Sequence, residues 1–186
     1  MQNKKYQIIY ADPPWQYNRK AGRGIASDHY PTMSLQEICN LPVGNLADKN
    51  CALFLWVTFP QLREGLSVIQ AWGFQYKTVA FVWVKQNKKA DTLFLGLGHW
   101  TRSNAEICLL ATRGTLRRKS AYVRQIILSH IEKHSKKPDE ARDRIVELIG
   151  DVPRIELFAR QATPGWDVWG NEIQSDIEMK SEEEIE

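Results

Sequence analysis

Asp12-Pro13-Pro14-Trp15 is the stretch of this sequence whose residue types could do chemistry together. Two consecutive prolines remove two backbone donors and fix φ, so the turn is stiff. Within four residues it holds a carboxylate, a carbonyl and an indole. An exocyclic aryl amine such as adenine N6 matches that set. Its two N–H groups can donate to the Asp12 carboxylate and the Pro13 carbonyl, while Trp15 covers the ring face. Two acceptors on the amine favour a pyramidal nitrogen whose lone pair points at an electrophile, a form of preorganised electrostatic catalysis. At an ordinary carboxylate pKa of about 4, Asp12 cannot deprotonate a neutral aryl amine. It therefore reads as acceptor and orienter, and the proton leaves once the nitrogen has been alkylated. Taken alone, the tetrapeptide also fits a plain strand-terminating turn beside a partly buried tryptophan.

The turn needs a rigid mount, and the chain offers one. Residues 6 to 11 form a short β-rich run that stops at the prolines. Residues 16 to 33 are polar, basic and glycine-containing, as in a loop, and Ser34-Leu35-Gln36-Glu37 is a capping box opening a short helix that ends near Leu41-Pro42. Residues 51 to 58 are apolar throughout, as in a strand buried on both faces of a parallel sheet. A helix follows over 60 to 72, with Leu62, Leu66, Ile69 and Trp72 along one face and Gly73 as its stop. Strands are predicted over 76–84, 105–112, 124–129 and 154–158. A long loop covers 85–102, and a helix with Pro138 and acids in its first turn runs to about Ile149. Asp139 and Glu140 read as partners of that helix's dipole and not as an acid/base couple. Strands alternating with helices predict an α/β three-layer sandwich on a mostly parallel sheet with helices on both faces, its site beyond the carboxyl ends of the strands.

Six motifs occur in order: Asp12-Pro13-Pro14-Trp15, then residues 30–34, 53–58, 98–100, 135–140 and 155–160. Together they closely resemble the MT-A70 family of adenine-N6 methyltransferases over about residues 6 to 174. The resemblance implies a Rossmann-like fold dependent on S-adenosylmethionine, with S-adenosylhomocysteine as product. Its motif order is permuted, the catalytic turn coming before the cofactor segments. That order accounts for the missing G-x-G-x-x-G; Gly96-Leu97-Gly98 has no third glycine and is no dinucleotide fingerprint. The implied catalytic set is Asp12, Pro13, Pro14 and Trp15. The implied cofactor set is Asp12, Lys137, Phe158, Arg160, Asn171 and Glu172, with Lys137 on the cofactor carboxylate, Arg160 near its ribose and Asn171 on the ribose hydroxyls. An ammonium beside a helix N-terminus suits an anion. Ala159 departs from the family, which has glycine there, and Glu172 stands where eukaryotic members carry glutamine.

Net charge is only +3, but the last eleven residues hold six acids and one base, leaving 24 bases against 16 acids in residues 1–175. Three basic clusters stand out: Arg19, Lys20 and Arg23 after the turn; Lys85, Lys88 and Lys89 at the head of the long loop; and a run from Arg113 to Lys137 containing Arg117, Arg118 and Lys119. They predict phosphate contacts, with Tyr30 and His99 at the substrate entrance. His29, His130 and His134 lack acids or cysteines at ligand spacing, so no metal is expected. Cys39, Cys51 and Cys108 are scattered, and no apolar run approaches the roughly 20 residues a membrane span needs. The expectation is a cytoplasmic protein with one methyltransferase domain over 1–175 and a disordered acidic tail over 176–186. It would methylate DNA adenine at N6, on a flipped or single-stranded base. RNA is the alternative substrate, and a non-catalytic nucleic-acid-binding subunit is the alternative of another class. Such subunits have lost the Asp-Pro-Pro-Trp turn that is intact here. A homodimer is plausible with seven tryptophans.

Overall fold

A computed structural model describes residues 4–16, 31–98, 100–132 and 136–179. Arg19, Lys20, Arg23, Tyr30, His29, His99 and His134 lie outside the described residues. Seven strands form one sheet: β1 (Tyr6–Ala11), β2 (Ala47–Val57), β3 (Gln75–Gln86), β4 (Ala105–Arg113), β5 (Ile126–His130), β6 (Arg154–Leu157) and β7 (Asp167–Trp169). Their order across the sheet is β5-β3-β4-β2-β1-β6-β7. Strand β1 lies parallel to both β2 and β6, β6 is parallel to β7, and β3 is parallel to β5. Strand β4 runs antiparallel to its neighbours β2 and β3. The sheet is thus mixed, and the expectation of parallel neighbours on both sides of the 51–58 run is corrected on one side. A strand buried on both faces is apolar throughout whichever way its neighbours run, so composition carries no direction.

Three α-helices cover the sheet: α1 (Leu35–Asn40), α2 (Leu62–Ala71) and α3 (Glu140–Ile149). The capping box of α1 forms as expected, Ser34 Oγ accepting from the Glu37 amide at 3.3 Å and the Glu37 carboxylate accepting from the Ser34 amide at 2.7 Å. Helix α2 closes through Gly73, whose φ of +79° turns the chain back. Its buried face is Gly65, Val68, Ile69 and Trp72; Leu62 and Leu66, expected inside, are exposed. Glycine at 65 sets that rotation, because a Cβ there would stand 2.5 Å from Val57 Cγ1. Alternate β2 residues divide between the two faces. Leu53 and Leu55 pack with Ile38 of α1 and Ile69 of α2; Phe54 and Trp56 pack with Ala141 and Ile145 of α3. The layers are therefore two helices, sheet, one helix.

Helix α3 is tied to β6 by a buried ion pair. Arg142 donates through Nε and a terminal nitrogen to the two oxygens of Glu156, both at 2.7 Å, and its other terminal nitrogen reaches Asp139 at 2.7 Å. The acids at the head of α3 thus act through side-chain pairs, Glu140 joining Arg144 four residues on.

Strand β7 was not expected from the sequence, being only three residues long. Past it the chain folds back on the sheet edge. The Asp176 amide donates to the Val168 carbonyl at 2.9 Å, and the Asp176 carboxylate accepts from the Val168 amide at 2.8 Å. Ile177 and Met179 pack against the core. The start of the supposed tail is thus part of the fold: apolar residues alternate there with acids, and the acidic count concealed them. Residues 180–186 lie outside the described residues. Among the described residues, no helix is long and apolar enough to cross a membrane.

Candidate active site

Strand β1 delivers Asp12 to the carboxyl end of the sheet, since Ala11 pairs with Leu55 of β2 on one side and Leu157 of β6 on the other. The turn is pinned from both directions. Trp15 Nε1 donates to the Trp56 carbonyl at 3.1 Å, and the Trp15 amide donates to the Pro13 carbonyl at 2.9 Å. The Pro14 carbonyl accepts from the Met33 amide at 2.9 Å, and the Met33 carbonyl accepts from the Gln16 amide at 3.1 Å. Buried Gln61 donates to the Gln16 carbonyl at 3.1 Å. Trp15 and Met33 thereby bridge the base of the segment between them. The Trp15 indole is only 6% exposed. The ring expected to cover the substrate's ring face is thus largely buried, a wall of the pocket and an anchor for the turn. The Pro13 carbonyl already has one donor, and its second lone pair remains for another.

A pocket opens here, lined by the Asp12–Trp15 turn, Trp56, Val57, Thr58, Glu106, Lys137 and Arg160. Lys137 sits just before α3, its ammonium 2.7 Å from Asp12 Oδ2 and 3.2 Å from Glu106 Oε2, and 5.7 Å from the centre of the Trp56 ring. Glu106 also pairs with Lys85 at the end of β3. Four charges are thus paired in series, Asp12 to Lys137 to Glu106 to Lys85, the first three lining the pocket. Burial pushes the Asp12 carboxyl above the usual carboxylate range, against the pull of Lys137. Burial pushes Glu106 up as well, but Lys137 and Lys85 outweigh it and bring it down to about 2. Burial disfavours the charged form of Lys137, yet its two carboxylates hold the ammonium above the ordinary lysine range.

Glu106 was not singled out from the sequence. Its signal was present: one acid inside an otherwise apolar strand, with lysines at 85 and 137. Trp56, Val57 and Thr58 fall within the 53–58 motif, which the sequence alone ties to no role.

On the other side of Asp12, the chain leaves β6 through Phe158, a non-glycine residue at φ +61°. Such strain concentrates at functional sites. The Phe158 ring meets Trp169 edge-on at 5.4 Å, and the Ala159 amide donates to the Trp169 carbonyl at 3.0 Å. The left-handed residue is thus 158 and not 159, so alanine is accommodated where the family has glycine. Gly170 permits the close approach, because a Cβ there would lie 2.2 Å from the Ala159 carbonyl oxygen. Arg160 reaches the pocket and stands 3.4 Å from Glu172. Asn171 and Glu172 are exposed, beyond the carboxyl end of β7 and outside the pocket lining.

The basic clusters separate. Lys88 and Lys89 are exposed beyond the carboxyl end of β3, the pocket end of the sheet. Arg117, Arg118 and Lys119 follow β4, whose last residue, Arg113, pairs with Cys51 in the amino-terminal half of β2. They stand at the opposite end of the sheet from Asp12, because β4 runs the other way. Proximity in sequence to Lys137 does not become proximity to the pocket. His130, predicted to hold no metal, faces Asp91 at 3.2 Å and the Asn87 carbonyl at 2.7 Å. Among the described residues no three His, Cys, Asp or Glu side chains group as a metal site would require.

The donor set suits an amino-acid cofactor with a sulfonium. A buried ammonium before a helix start matches a carboxylate, and a carboxylate beside it matches positive charge. The MT-A70 family model matches residues 6–172. The sequence is 38% identical to the type II methyltransferase M.MunI of Mycoplasma sp, with 98% of this chain and 84% of that protein covered. It is 31% identical to a putative N(6)-adenosine-methyltransferase MT-A70-like protein of Medicago truncatula, covering 91% of this chain and 26% of that protein. With the human N(6)-adenosine-methyltransferase catalytic subunit METTL3 identity is 29%, over 91% of this chain and 28% of that protein. The chain thus spans most of M.MunI but only about a quarter of the other two.

Proposed function

The chain belongs to the MT-A70 family, and from that premise we propose that it transfers a methyl group from S-adenosylmethionine to the N6 amine of adenine in DNA. The observation that carries this reading is the Asp12-Pro13-Pro14-Trp15 turn, held rigidly over a pocket with a part-buried lysine. DNA is favoured over RNA because the relative sharing nearly the full chain is a type II methyltransferase, whereas the N(6)-adenosine-methyltransferases are matched over about a quarter of their length. The element order, with the turn after β1 and Phe158 and Arg160 after β6, fits the permuted methyltransferase arrangement.

The bound cofactor supplies an electrophilic methyl on a positively charged sulfur. Lys137 and the start of α3 would hold its carboxylate, and Arg160, Asn171 and Glu172 would take its ribose. Asp12 accepts one amine N–H and the Pro13 carbonyl, through its remaining lone pair, accepts the other. The nitrogen lone pair is thereby turned out of the ring plane. Pro14 keeps the two acceptors in fixed relation, and Trp15 excludes water from one side. After transfer the nitrogen is acidic, and Asp12, its carboxyl raised by burial, is placed to take the proton. Lys88 and Lys89, exposed at the pocket end of the sheet, would meet phosphates flanking the base.

Incubation with methyl-labelled cofactor and duplex DNA, single-stranded DNA or RNA, followed by digestion to nucleosides, tests this. Label is expected in N6-methyl-deoxyadenosine. Label in cytosine, or in RNA alone, overturns it. Lys137→Ala is expected to weaken S-adenosylhomocysteine binding about tenfold or more, the size of a lost hydrogen bond to a charged group. Calorimetry showing an unchanged dissociation constant removes Lys137 from the cofactor site.

A further inference from the structure

Glu106 is a part-buried acid that the methyl-transfer steps leave without a task. Its side chain is 16% exposed and shares the Lys137 ammonium with Asp12, at 3.2 Å against 2.7 Å. Its other neighbour is Lys85, whose ammonium lies over the Trp83 ring, 4.8 Å from its centre. A carboxylate placed only to neutralise Lys137 would be redundant, since Asp12 already does so. A carboxylate placed to compete for Lys137 has a different effect. Undivided, the ammonium would sit on Asp12 and occupy the electron density that must accept the substrate amine.

We propose that Glu106, anchored by Lys85, is a positioning residue that draws the Lys137 ammonium partly off Asp12 and so keeps Asp12 a strong acceptor for the adenine amine. This rests on Asp12 being the acceptor, as argued above. Glu106 stays ionised down to about pH 2, so it pulls on Lys137 throughout the titration of Asp12. The other groups acting on or near Asp12 are Arg160 beyond β6, Glu156 in β6 and Cys108 in β4. They are the same in every variant considered and cannot set the direction of a change.

The arrangement makes two changes act oppositely. Glu106→Gln removes a negative charge and releases Lys137 wholly to Asp12, so the Asp12 titration moves down, by about one pH unit for a charge at this range. Lys85→Met frees Glu106 to pull harder on Lys137, so the Asp12 titration moves up. A role confined to packing would lower rates in both without moving the titration, because it puts no charge on Asp12. Carbon-13 NMR of the Asp12 carboxyl in the cofactor-free protein reads this without turnover, and the acid limb of kcat on DNA reads it during catalysis. Opposite shifts in both measurements are the expected result. Shifts of the same sign, or none, overturn the proposal. Should Glu106→Gln fail to fold by thermal melting, the sign in Lys85→Met decides. NMR shifts as expected with an unmoved acid limb would leave the tuning intact and remove Asp12 as the acceptor. A wild type that makes no methyladenine would defeat the functional reading whatever the NMR shows.

Discussion

Asp12→Ala is expected to lower kcat for adenine methylation by about a thousandfold, the size seen when one preorganised group that stabilises a transition state is removed. The cofactor dissociation constant should hardly change. Lys137 keeps Glu106 as a partner at 3.2 Å, so its ammonium is not orphaned and the cofactor side of the pocket stays in place. A loss confined to kcat marks an interaction made in the transition state and not in the ground state. Asp12→Asn sharpens the test, because it keeps the shape and replaces one acceptor oxygen by a donor facing the amine. If either variant retains more than about a tenth of the wild-type rate, the turn positions the base by shape and Asp12 is not its acceptor.

Arg142→Met is expected to cost about 3–5 kcal/mol of stability, measured by urea unfolding, because it leaves a buried carboxylate without its partner. Both members of the pair are 9% exposed, and the guanidinium grips Glu156 with two nitrogens while lying 5.6 Å from the Tyr10 ring centre. Burial already raises the Glu156 carboxyl above its usual range, with Arg142 opposing the rise. The double variant Arg142→Met, Glu156→Leu should recover most of the loss, since the cost lies in the lone charge and not in the missing bond. A single variant within about 1 kcal/mol of wild type would mean that water reaches Glu156 and that α3 is held to β6 by packing alone.

Much of this molecule could be read from local patterns. The proline turn, the α1 capping box and the apolar runs are short-range signals, and each element stands within a few residues of its expected place. What escaped depends on distant residues meeting. The antiparallel course of β4 leaves no mark on a strand buried on both faces, and through it Arg117, Arg118 and Lys119 end far from the pocket. Glu106 meets Lys85 and Lys137 only after β3, β4 and the approach to α3 are in place. The buried face of α2 turns on one contact between Gly65 and Val57. The site's chemistry was legible because it rides on one turn; its electrostatics were not, because four elements share them.

The Trp15–Met33 bridge has a consequence for divergence among relatives. The chain departs from the turn and returns to it at neighbouring points, and hydrogen bonds from the Gln16 and Met33 amides seal the junction. Whatever joins those points can be lengthened at a cost that grows only logarithmically with its length, without displacing Asp12. A change in the length of that stretch is thus one that the Asp12–Trp15 turn can absorb without losing its anchors.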